Sequence, residues 1–136
     1  MRGLTFRLNR AVTEVLAEAG ADPHADLTIL LTTNRHMQAL NRSFRKKDMP
    51  TNVLSFQSGA DDYLGDVAIA YGVTAKEARA GGKSVCDHAV HLAVHGVLHL
   101  LGFDHVTARQ AAVMEAKEVR ILTKLKIADP YAEGHA

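Results

Sequence analysis

Leu4, Leu8, Val12, Val15, Leu16 and Ala19 recur at helical spacing up to Gly20. That recurrence outlasts the brief alternation of Leu4, Phe6 and Leu8, so it predicts a helix over 4–19. ADPHAD is a turn, and DLTILLTT, apolar and partly β-branched, reads as a mostly buried strand. Met37, Leu40 and Phe44 return to helical spacing with Asn34 in the place of an N-cap, until KKDMPT breaks the pattern. NVLSF and GDVAIA have strand character, joined by the polar QSGADDYL as a loop or wide hairpin. A short helix over 74–80 stops at Gly81 and Gly82. Ser84 with Asp87 has the form of a capping box, opening a helix that runs to Leu101 and ends at Gly102. Thr107 with Gln110 opens a last helix whose apolar positions include Ala111, Met114, Ile121, Leu122 and Leu125. Interleaved helices and strands predict an α+β fold, a small mixed β-sheet packed by helices.

One of these helices differs from the rest. AVHLAVHGVLHLL, residues 89–101, is apolar on almost every side, which places it at the centre of the domain. His88, His91, His95 and His99 nevertheless fall along a single stripe of it. A lone histidine on an apolar helix is most often a hydrogen-bonded structural residue. His95 and His99, one turn apart, can instead reach one tetrahedral ion, and Gly102, free to adopt positive φ, lets the chain fold His105 back toward them. Three neutral imidazoles with a fourth position open form the ligand set of a catalytic zinc site rather than a closed structural one. His88 and His91 lie further from the ligand end and read as packing, ligand-supporting or cleft-lining residues. Asp104 has three open roles: orienting a ligand imidazole, accepting a proton, or stabilising the turn.

Composition adds bounds. The 136 residues suit one domain, 1–136, and 47% hydrophobic with 23% charged residues is ordinary for a soluble globular chain. No apolar run approaches the roughly 18 residues that span a bilayer, and MRGLTFRLNR lacks the apolar segment of a secretory signal, so the expectation is a cytoplasmic protein without a membrane partner. Cys86 stands alone, which excludes an intrachain disulfide and suits a small buried apolar residue. A net charge of +1 does not advertise a nucleic-acid binder, but Arg42, Arg45, Lys46 and Lys47 crowd into NRSFRKKD. That segment is either a solvated basic turn or a phosphate-contacting element. His135 reads as a tail residue.

The pattern H-x-x-x-H-x-x-G-x-x-H at 95–105 is shared with the long zinc-peptidase signature, in which a Glu directly after the first His activates water. Here that position is Gly96, so a peptidase of that class would lack its general base. A bound metal can by itself bring water to a pKa near ~7 and can stabilise charge on phosphoryl oxygens, and a guanidinium would add a bidentate contact. The residue set therefore favours phosphodiester over peptide cleavage, with Arg45, Lys46 and Lys47 supplying the second positive element if the fold brings them to the metal cleft.

HGVLHLLGFDH, together with LNRSFRKKDMPTNVLSF at 40–56 and LGDVAIA at 64–70, resembles the YbeY family of bacterial ribosomal-RNA maturation factors, over a stretch from about residue 26 to the end. The resemblance implies a zincin-like fold with a central buried helix carrying the metal-binding histidines. It implies Zn2+, or another divalent transition metal, on His95, His99 and His105, with Arg45 in the place of an arginine that serves RNA cleavage. Asp48 and Thr51 fall on family positions suited to turn-forming and cleft-shaping. The implied activity is that of a zinc-dependent, single-strand-specific endoribonuclease acting on ribosomal-RNA precursors and the small ribosomal subunit, in maturation and quality control. A ribosome-assembly factor with a mainly structural zinc, and a metallohydrolase of another bond such as peptide, are the alternatives. The chain departs from the family pattern at Gln57, where a Pro is usual, and in beginning at the first helix without the family's preceding strand, which bears on one edge of the sheet.

Overall fold

A computed structural model describes residues 3–44 and 51–131. The elements follow in the order α1 (Leu4–Glu18), β1 (Asp26–Thr32), α2 (Asn34–Phe44), β2 (Val53–Gln57), β3 (Tyr63–Ala70), α3 (Tyr71–Ala80), α4 (Val85–Leu100) and α5 (Ala108–Lys124). The expected mixed sheet packed by helices is present, as three strands in the order β1-β3-β2. β1 runs parallel to β3, and β2 is antiparallel to it. QSGADDYL thus turns a hairpin, with β3 starting at Tyr63, earlier than its sequence pattern suggested.

Because side chains alternate along a strand, β3 feeds two cores. Val67 and Ile69 point into the larger one with Ala11 and Val15 of α1, Val90, Val94 and Val97 of α4, and Met114, Ile121 and Leu122 of α5. Ala68 and Ala70 point the other way, onto Met37 of α2 and Leu54 of β2. α4 is in contact with α1, α3, α5, β2 and β3, the surroundings its all-round apolarity called for. Cys86, expected to be buried, is half-buried and packs against the larger core. No described helix is long and apolar enough to cross a membrane.

Three local expectations need correction. β1 is not mostly buried: Leu27 and Ile29 pack on the core, but Leu30 and Leu31 remain 43% and 37% exposed. The reason is its place at the sheet edge, paired on one side only among the described residues, so an apolar run did not translate into burial on both faces. Asn34 does not cap α2; the Thr33 hydroxyl accepts the His36 N–H at 3.1 Å, while the Asn34 side chain accepts the Val73 N–H at 3.0 Å and ties α2 to α3. α3 begins at Tyr71 rather than 74, directly off the end of β3.

The caps proposed for the two long C-terminal helices are present. Ser84 accepts the Asp87 N–H at 3.0 Å, although the Asp87 carboxylate turns away to Arg7. At α5 the box is reciprocal, each 3.1 Å long: Thr107 Oγ1 accepts the Gln110 N–H and the Gln110 side chain accepts the Thr107 N–H. Thr107→Ala should therefore cost about 1 kcal/mol, a fall of roughly 3–5 °C in Tm. Thermal denaturation followed by circular dichroism checks this.

Candidate metal centre

α4 sits on the sheet at a distance that leaves no room at one position. A Cβ on Gly96 would lie 2.5 Å from Val67 Cγ1 and 3.1 Å from Ser55 Oγ, and the Ser55 hydroxyl donates to the Gly96 carbonyl at 2.9 Å. The helix then ends as the sequence predicts. Gly102 takes φ 98°, its N–H donates to the His99 carbonyl, and the Phe103 N–H donates to Leu98, the two bonds of a Schellman stop. Gln57 Nε2 adds a donor to the exposed helix end, 3.2 Å from the Leu100 carbonyl. A Pro, the residue the resemblance led one to expect here, would have no such donor, whereas Gln57 adds a tether and stays within β2. The Lys117 ammonium lies 5.2 Å from the centre of the Phe103 ring and helps hold the turn down.

The turn brings His105 back to the helix. Ring centroids of His95, His99 and His105 stand 4.7, 5.3 and 4.9 Å apart, and one ligand nitrogen from each lies within 4.8 Å of the others. His95 Nε2 and His99 Nε2 are 3.1 Å apart, close to the roughly 3.3 Å between ligands of a tetrahedral ion with nitrogen bonds of about 2.05 Å. The donor set thus fits a divalent transition-metal ion. It opens on a cleft of about 870 Å³ that also presents Asn41, Thr51, Asn52, Gln57 and Asp104. Burial, and then the neighbouring charges of His95 and His105, lower the pKa of His99, which favours the neutral ring that a metal requires.

Behind the three histidines lies a buried acid that the sequence reading did not single out. Glu118 of α5 is 0% exposed. Its Oε1 is 2.6 Å from His95 Nδ1, its Oε2 is 3.1 Å from His91 Nε2, and the Tyr131 hydroxyl donates to Oε2 as well. Burial by itself would raise this carboxyl, but hydrogen bonds from His91 and His95, the charge of His95 and the bond from Tyr131 outweigh it and hold the pKa at about 2. Tyr131 is pushed in the other direction, well above the ordinary phenol range, by burial and by the adjacent Glu118 anion. The signal was present in the chain: Glu118 falls on the same stripe as Met114, Ile121 and Leu122, so an acid interrupts an otherwise apolar helix face.

The remaining candidates divide clearly. His88 is held aside by Glu77 at 2.9 Å, which also accepts from Asn52 Nδ2, and His91 by Glu118, so neither joins the three-histidine cluster. Asp104 accepts the His105 N–H at 2.7 Å and lies 3.9 Å from His105 Nδ1, which favours the turn-stabilising role over that of orienting the ring. Thr51 lines the cleft. Arg45, Lys46, Lys47, Asp48 and His135 lie outside the described residues.

The family described as Endoribonuclease YbeY matches residues 4–126. Curated proteins of that name from Bordetella petrii and a Chelativorans species are 50% and 45% identical to the chain. The first comparison covers 79% of this chain and 72% of the relative, the second 97% and 83%. A relative of the same name from Francisella tularensis is 39% identical, with 88% of this chain and 80% of that protein covered. In three dimensions the chain is similar to a solution structure from Thermotoga maritima, with a TM-score of 0.67 at 22% identity, over 99% of this chain and 87% of that one.

The crowding at Gly96 yields a direct test. Overpacking costs typically ~1–3 kcal/mol, against about 1 kcal/mol that alanine gains over glycine in a helix, so Gly96→Ala should lose up to about 2 kcal/mol in the metal-free protein. Gly96→Glu, which restores the peptidase acid in sequence, should destabilise more and gain no peptide hydrolysis. Thermal melts paired with a peptidase assay read both.

Proposed function

The chain belongs to the YbeY endoribonuclease family, and from that premise we propose that it is a zinc-dependent hydrolase cleaving single-stranded RNA during maturation and quality control of small-subunit ribosomal RNA. The observation that carries the reading is the convergence of His95, His99 and His105 on the floor of a polar cleft. In this reading the three imidazoles hold the ion, on a zincin-like arrangement of helix and sheet, in a cytoplasmic protein that meets ribosomal-RNA precursors and the small ribosomal subunit. When bound, a divalent cation supplies Lewis-acid stabilisation of the charge that develops on a phosphoryl oxygen.

The chain's own residues have separate tasks. Glu118 keeps the His95 ring in place, and Gln57 and Ser55 hold the end of α4 against the sheet. Arg45 is assigned the guanidinium contact to the substrate phosphate. Asn41, four positions earlier, lines the cleft, which supports that assignment. Asp104 is the one carboxylate lining the cleft among the described residues and is the available proton acceptor, since nothing larger than glycine fits at 96.

Two other readings are weaker on stated grounds. Peptide hydrolysis needs the base that Gly96 replaces. A mainly structural zinc is disfavoured because α4 is already anchored by a core of apolar contacts on several sides. Chelation should therefore abolish cleavage of single-stranded RNA while far-UV circular dichroism keeps its helical signal. Arg45→Ala should lower cleavage roughly 10²-fold or more, the usual loss for one transition-state donor, with metal content and Tm unchanged. Helix content that collapses on chelation, or full activity in Arg45→Ala, would favour the assembly-factor reading. RNA turnover surviving His99→Ala would point to a contaminating nuclease.

A further inference from the structure

Among the described residues Glu118 is the only acid in the buried interior, on a face of α5 otherwise made of Met114, Ile121 and Leu122. Placing an anion there is unfavourable unless donors surround it, and a neutral or apolar side chain would serve packing as well or better. The donors present are specific. One oxygen faces only His95 Nδ1, at 2.6 Å, and the other takes His91 Nε2 and the Tyr131 hydroxyl. His95 is the one ring of the three-histidine cluster whose rear nitrogen is answered by a fully buried carboxylate.

Resting on the metal site of the proposed function, we infer that Glu118 is a positioning residue for that ion, with Tyr131 and His91 holding the carboxylate in turn. An ionised carboxylate can only accept, so the proton of neutral His95 must sit on Nδ1. The Nε2 lone pair is thereby left to the side where His99 Nε2 stands 3.1 Å away. The contact fixes three properties of the ligand together: its tautomer, its ring rotation and its basicity. Tyr131 lies beyond the end of α5, so the segment after the last helix contributes to the metal centre through one phenol. Its edge against the His91 ring, centroids 5.8 Å apart at 90°, fixes the direction from which that phenol arrives.

Removing such a partner typically weakens metal binding about 10–100-fold. The test is Zn2+ affinity of the full chain, by competition with a chelator of known strength, for wild type, His99→Ala, Glu118→Gln, Glu118→Ala and Tyr131→Phe. Wild type should bind one equivalent, His99→Ala should lose it, and Glu118→Gln should bind roughly 10–100-fold more weakly while still folding. Tyr131→Phe, which leaves the carboxylate but removes one donor, should lose severalfold. If Glu118→Ala fails to fold, the two near-isosteric variants still decide the matter. A second readout separates positioning from packing: nitrogen-15 NMR of the zinc-loaded protein should show a slowly exchanging Nδ1–H on His95 in wild type and not in Glu118→Gln. Zn2+ affinity within twofold of wild type in folded Glu118→Gln, with the Nδ1–H signal intact, would overturn this inference and leave the metal site standing. A wild type no tighter than His99→Ala would overturn both.

Discussion

Four imidazoles run along a helix that is enclosed on nearly every side, and burial obliges their ring N–H groups to find acceptors. The acceptors come from other elements: Glu77 of α3 for His88, and Glu118 of α5 for both His91 and His95. Both are acids: Glu77 is exposed and also accepts from Asn52, whereas Glu118 is fully buried and tolerable only if both its oxygens are satisfied, so its requirement passes outward to Tyr131. The rear nitrogens of His88 and His91, Nδ1 in both, have no protein partner. With the proton on Nε2 those atoms carry lone pairs, which are cheaper to leave bare than an N–H. The acid on the buried face of α5 and the Tyr131 hydroxyl beyond the helix are the two features that answer what His91 and His95 demand.

The opposite side of α4 is constrained by close approach rather than by hydrogen bonding. Val67 and Ser55 press on Gly96, and the Ser55 hydroxyl engages its carbonyl. One turn later the Gln57 amide takes the carbonyl end of the helix. β2 and β3 thus fix α4 both in height above the sheet and along its axis. The consequence for the site is that His95 and His99 are presented from a rigid element, and only His105 depends on the turn at 102–104.

The convergence of the three histidines was legible in the sequence because it is local. His95, His99, Gly102 and His105 lie within one helix and one turn, where spacing and a glycine's freedom translate directly into geometry. The same holds for α1 and for the caps at Ser84 and Thr107. What escaped was non-local. Glu118 lies 23 residues from the His95 it contacts, and an acid on a helix face ordinarily means solvent, so only its phase with Met114 and Ile121 marked it. The exposure of Leu30 and Leu31 depends on which strand lies at the sheet edge, and no pattern within DLTILLTT contains that information. Thr33 and Asn34 are both competent caps, and the choice between them turned on the Val73 N–H, which needs the Asn34 side chain elsewhere.

The packing of α4 also bears on which bond the site can break. A general base contributes about 10²–10⁴ in rate, and in the peptidase pattern it comes from the residue after the first histidine. Here the sheet excludes any side chain from that position, so a peptide substrate would forgo that factor in full. Phosphoryl transfer is affected less, because its transition state spreads charge over phosphoryl oxygens and is lowered mainly by positioning and by fixed positive charge. On the proposed reading, a cation held by the three imidazoles and the Arg45 guanidinium would supply both without a base on α4. The polar groups of Asn41, Thr51 and Asn52 line the same cleft and offer donors suited to a sugar-phosphate backbone. The contact that seats the helix on Val67 therefore tilts a ligand set shared with peptidases toward phosphodiesters, which is the bond the family acts upon.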